Sequence, residues 1–115
     1  EFSFRAIVKN GSTTEGDFRR SATLGDGGRV RLNEEVVFDA GRQVGNRFSI
    51  TFYSAEGDRD IFGNTYNDSR MNNRSSSKTH EFGSTGWSNV TTSDIRLVNG
   101  SQNCQAELVY SVGVI

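Results

Sequence analysis

The chain contains no proline, one cysteine, one histidine and one tryptophan in 115 residues. Without proline, turns fall to glycine, asparagine and aspartate, which tolerate the positive φ that tight turns demand. The lone Cys104 forms neither an intramolecular disulfide nor a cysteine-based zinc cluster. With a single histidine, any Ser-His-Asp or Cys-His arrangement would have to use His80. There is no HExxH motif, no P-loop and no GxGxxG opening a helix. No apolar run exceeds three residues, far short of the roughly 18–20 a membrane-spanning helix requires. The N-terminus has no basic segment leading into an apolar one, so the chain reads as a mature or trimmed product. Charge is also scarce as a net quantity: 13 basic and 14 acidic side chains leave −1. Eleven of the basic residues are arginines, scattered along the chain rather than gathered into the stripe of a nucleic-acid binder. Scattered arginines pair readily with carboxylates. The sequence therefore predicts surface ion pairs, no nucleic-acid partner and no enzyme.

What is present is alternation. Phe2, Phe4, Ala6 and Val8 are apolar, while Glu1, Ser3 and Arg5 between them are polar, the period-two pattern of a half-buried strand. Asn10-Gly11 follows as a turn signal. Residues 29–38 alternate through Val30, Leu32, Val36 and Phe38, and residues 47–53 through Phe48, Ile50 and Phe52. Near the C-terminus, Ile95 and Leu97 lead to Asn99-Gly100 and then to Ala106, Leu108, Tyr110, Val112 and Val114. That succession predicts a hairpin. The fold class this implies is all-β, an antiparallel β-sandwich or Greek-key barrel formed by residues 1–115 as one domain. The expected core is Phe2, Phe4, Val30, Leu32, Phe38, Phe48, Ile50, Phe52, Ile95, Leu97, Leu108, Tyr110 and Val112.

Two stretches resist the pattern. In residues 13–24, Gly16 interrupts the periodicity. A short helix capped by Thr13 or Thr14 competes there with an irregular strand, and the helix would make the fold an α+β sandwich. Residues 56–81 show little periodicity and read as a long loop with short strands near Ile61-Phe62 and Arg70-Met71. Long loops on a rigid scaffold usually carry function.

That loop and its flanks hold the residues suited to binding. Trp87 and Tyr66 offer ring faces for the apolar side of a sugar, with Tyr53 close to the same stretch. Asp58, Asp60, Asn64, Asn67 and Arg70 supply hydrogen bonds to hydroxyls. Together these residues predict a non-catalytic carbohydrate-binding module or lectin, with a glycan or glycoprotein as partner and no cofactor. The alternative is a protein-binding toxin, effector or protease inhibitor that presents the 56–81 loop. A calcium site at Asp58 and Asp60 is a third reading, which the interleaved Arg59 opposes. His80, in a polar stretch, reads as solvent-exposed. Five N-x-[ST] sequons, at Asn10, Asn67, Asn73, Asn89 and Asn99, set the expectation of a secreted or extracellular protein. Exposed strand edges make a homodimer a further expectation.

Ile50-Thr51-Phe52-Tyr53, Asp58 to Gly63 and Asp94 to Leu97 resemble the spacing of a βγ-crystallin Greek key. The segment Ser88 to Ser93 departs from that family's calcium motif, and no second key is visible. Arg47 to Ile50, Asp60-Ile61 and Trp87 look like pieces of a galectin. The His, Asn and Arg set with which that family binds galactose is missing at the matching place. Each resemblance covers less than half of the chain.

Overall fold

The computed structural model describes residues 2–23, 25, 27–59, 65–67, 74–88, 90–99 and 104–115. Side chains are described for these except 55–59, 65–67, 90–91 and 104. The described residues form seven strands and no helix: β1 (Phe2–Asn10), β2 (Thr13–Ala22), β3 (Arg47–Arg59), β4 (Thr65–Asn67), β5 (Arg74–Glu81), β6 (Val90–Asn99) and β7 (Cys104–Val112). β3 runs through the middle of a five-stranded sheet. β1 lies on one side of it with β2 beyond, β5 pairs the first part of β3, and β4 pairs its last residues. β6 and β7 form a separate antiparallel pair. The architecture is all-β and sandwich-like, as the alternation implies.

The inner face follows from register. Ala6 lies opposite Phe52 and Val8 opposite Ile50, so the even-numbered residues of both strands point the same way. On β6, Ile95 and Leu97 meet them, and Val8, Ile50, Phe52, Ile95 and Leu97 form one buried cluster. Phe2, Phe4, Phe18, Val36, Phe38, Ala106, Leu108 and Tyr110 pack around it, partly buried. Each fully buried aliphatic or aromatic side chain contributes about 1.5–3 kcal/mol relative to exposure. Ala6 and Val8, left out of the core expected from sequence, are buried, whereas Val30, included in it, is 45 % exposed.

One open reading is decided and two expectations need correction. Residues 13–22 are strand, not helix. Asn10 pairs with Thr13 across a two-residue loop in which Gly11 takes φ +61°, and the chain then runs back along β1 to Phe2↔Ala22. Gly16 is a packing residue rather than a helix breaker. A Cβ on it would stand 2.8 Å from Val36 Cγ2 and 2.9 Å from Phe18 Cζ. Residues 29–38, expected as a strand, join no ladder. Their alternation is real, since Val36 and Phe38 turn inward, but side chains anchor the segment. Arg20 Nη2 donates to Leu32 O at 3.2 Å and pairs with Glu34, and Asn10 Nδ2 donates to Asp39 O at 2.9 Å. Finally, residues 56–81 are not one loop. β3 continues to Arg59, and β5 occupies residues 74–81 as a full strand whose side chains are exposed except for half-buried His80. Ile61-Phe62 and Arg70-Met71 lie outside the described residues.

Two substitutions test this packing. Gly16→Ala inserts a methyl where Val36 and Phe18 already close, so the urea midpoint falls, by about 1–3 kcal/mol of stability. Ser54 carries a buried hydroxyl with no hydrogen-bond partner. Ser54→Ala should therefore raise stability by about 1 kcal/mol in the same titration.

Candidate functional site

Of the residues expected to bind ligand, Trp87 is the best defined, and its environment is structural. Its Nε1–H donates to Gly41 O at 2.7 Å. Its ring lies 5.4 Å from those of both Phe48 and Phe82. The loop that offers Gly41 O is itself fixed. Gly41 has φ +83° and donates its N–H to Asp39 Oδ1 at 2.8 Å, and Asn46 and Phe82 bond through their backbones at 2.7 Å. Trp87 thus closes one end of the core as a wedge whose polar handle is already engaged.

The ladder brings Asp58 opposite Tyr66 and Gly57 opposite Asn67. That arm is about ten residues of β3 away from Phe48, roughly 33 Å along an extended strand, so Trp87 does not join it. Asp60, Asn64 and Arg70 lie outside the described residues. Among the described residues no three His, Cys, Asp or Glu side chains converge as a metal-binding set.

His80 is not the exposed histidine expected from sequence. It pairs with Phe48 across β3–β5 and stacks on that ring at 5.0 Å with an interplanar angle of 22°. Its Nε2 shares a 2.8 Å hydrogen bond with the Tyr110 hydroxyl. Desolvation, with Lys78 nearby, holds the imidazole pKa below its ordinary value. Burial raises that of Tyr110, against a hydrogen bond from Ser93 that lowers it.

The outer face of the sheet carries a constellation that loop-centred reasoning overlooks. One cross-strand row runs Arg19, Arg5, Tyr53, each directly opposite the next. Ser3 and Ser21 form the adjoining row. These five residues help line a concavity of about 390 Å³. Arg5 is fixed in it: Nε and Nη2 donate to the two carboxylate oxygens of Asp17 at 2.9 and 2.7 Å, and its guanidinium carbon stands 5.9 Å from the Tyr53 ring centroid. The same hydrogen-bonded pairing lowers the Asp17 pKa and raises that of Arg5. Tyr53 is 38 % exposed. Its signal in the sequence is an aromatic ring in the polar phase of a strand, where serine or threonine would suffice.

No protein-family model, curated protein or solved structure matches the chain.

The depressed His80 pKa sets a pH dependence with a definite sign. The folded form favours neutral imidazole, so its contribution is complete above the unfolded value near 6.5 and is lost as pH falls through the folded value. Between pH 7.5 and pH 5.5 the urea midpoint of the parent chain should drop, and His80→Gln should flatten that slope. Equal slopes for the two proteins would contradict the assignment.

Proposed function

We propose that the chain is a non-catalytic carbohydrate-binding domain that holds its ligand on the outer face of the five-stranded sheet, centred on Tyr53. The observation that carries this reading is the exposed Tyr53 ring on a polar sheet face, in a concavity shared with a carboxylate-locked Arg5 and two serines. A pyranose has an apolar face suited to a phenol ring and a rim of hydroxyls suited to guanidinium and serine donors. Because Asp17 already orders Arg5, less rotamer freedom is lost on binding.

The competing reading of a toxin, effector or inhibitor depends on residues 56–81 acting as a presented loop. β5 takes eight of those residues into the sheet, which weakens its basis.

A glycan array probed with the parent chain, Tyr53→Ala and Trp87→Ala separates contact from scaffold. Tyr53→Ala should remain folded and lose about tenfold in affinity, the worth of one aromatic contact. Trp87→Ala should lower stability by about 3 kcal/mol through lost packing, with binding retained in the folded fraction. An array blank for the parent chain sinks the reading.

A further inference from the structure

We infer that the outer-face site selects an acidic saccharide, one whose carboxylate or sulfate is taken by Arg19 while a ring of the same molecule rests on Tyr53. This rests on the glycan reading of that face and adds the charge of the ligand to it.

The argument begins with a local rule broken by the register. Arg5 and Arg19 are directly opposite across β1 and β2, where Cβ atoms stand about 4.5–5.5 Å apart and like charges destabilise the pair. Among the described residues they have one carboxylate between them, and it is unevenly shared. Asp17 gives both oxygens to Arg5 at 2.9 and 2.7 Å, leaving Arg19 Nε 3.9 Å from Oδ1, beyond hydrogen-bonding range. The Arg19 side chain is 69 % exposed.

The third arginine at the concavity is otherwise engaged. Arg20 pairs with Glu34 and donates to the carbonyls of Leu32 and, at 2.8 Å, of Arg19 itself. Arg20 therefore braces the backbone of Arg19 and leaves the Arg19 guanidinium to the solvent. Among the described residues, the three arginines at the concavity pair with only Asp17 and Glu34, one positive charge in excess, in a chain whose total charge is −1. A fold that holds a like-charged pair on an open face, undercompensated, gives up stability at a place where an anion would restore it.

Geometry narrows the anion. A guanidinium presents a planar fork that matches a carboxylate or sulfate through two parallel hydrogen bonds. Arg19 is two strand positions from Tyr53, roughly 10 Å across the sheet before side-chain reach is counted. A sugar stacked on Tyr53 places a charged substituent on its own or the adjacent ring within range of Arg19, and its hydroxyls near Ser3 and Ser21.

The test is titration calorimetry of the intact chain with a glucuronate-containing tetrasaccharide, the matching glucose-containing tetrasaccharide, and polyacrylate as a polyanion without sugar. The acidic tetrasaccharide should bind about tenfold tighter than the neutral one. Arg19→Gln should abolish that preference, Arg19→Lys should restore it only in part, and Tyr53→Ala should weaken both sugars. Arg19→Gln should also raise the urea midpoint of the free protein, a gain that a merely structural arginine would not give. Equal binding of both sugars with intact Tyr53 dependence overturns the inference and leaves the glycan reading standing. Polyacrylate binding that matches the acidic sugar and ignores Tyr53→Ala overturns both. No binding of the acidic sugar overturns the inference outright.

Discussion

The antiparallel ladder between β1 and β3 decides both what is buried and what is offered to solvent. It places Val8 beside Ile50 and Ala6 beside Phe52 on one face, and the same hydrogen bonds place Arg5 beside Tyr53 on the other. Side chains alternate with a period of two, so the two rows are rigidly linked. Whatever packs the inner row against Ile95 and Leu97 also holds the outer row in position. The sheet needs a cover on one side only, and the β6–β7 pair with residues 29–38 supplies it. The uncovered side keeps polar cross-strand contacts such as Thr51 Oγ1 with Ser77 Oγ at 2.7 Å and the Arg5–Asp17 pair.

The end of the core at Phe48 is built differently from its centre. Phe38, His80 and Trp87 surround that ring at centroid distances between 5.0 and 5.4 Å. Three polar groups enter this aromatic nest, and each finds a partner. The Trp87 indole meets Gly41 O, the His80 imidazole meets Tyr110, and Tyr110 meets Ser93. Buried polar groups are costly when unmatched and specifying when matched. This network ties β5 to the β6–β7 pair through side chains, because no backbone ladder joins them.

How much of this was legible in the sequence depended on which physical signal each element emits. Residues 2–8, 47–53 and the two C-terminal strands bury one face, and alternation announces them. β5 buries almost nothing. Its ladder to β3 satisfies its backbone, and Arg74-Ser75-Ser76-Ser77 carries no apolar period to reveal it. Residues 29–38 mislead in the opposite sense, because alternation reports which way side chains face and not whether a backbone partner exists. Residues 13–22 were ambiguous because Gly16 and the consecutive Arg19-Arg20 break the pattern, while the pairing that settles the matter is non-local. The candidate site was legible only in part. Tyr53 stands out as an aromatic in a polar phase, but its neighbourhood with Arg5 and Arg19 is created by register. Trp87 is conspicuous by residue type, but its N–H is engaged by Gly41 O, a partner 46 positions away that no local pattern reveals.

Residues 29–39 show where this fold can change length over evolutionary time. In β3 the insertion of a single residue would exchange Ile50 and Phe52 for Thr51 and Tyr53 on the inner face, turning the sheet inside out. Between Arg29 and Asp39 there is no ladder to slip. The segment is pinned at separate points, by Arg20 to Leu32 and Glu34, by Val36 and Phe38 against the core, and by Asn10 to Asp39, while Val30 ahead of the first pin is exposed. Insertions and deletions ahead of Leu32 are absorbed by the backbone without moving the sheet or the inward side chains that follow. Divergent descendants of this chain are therefore expected to vary in length here and to keep β1 and β3 constant.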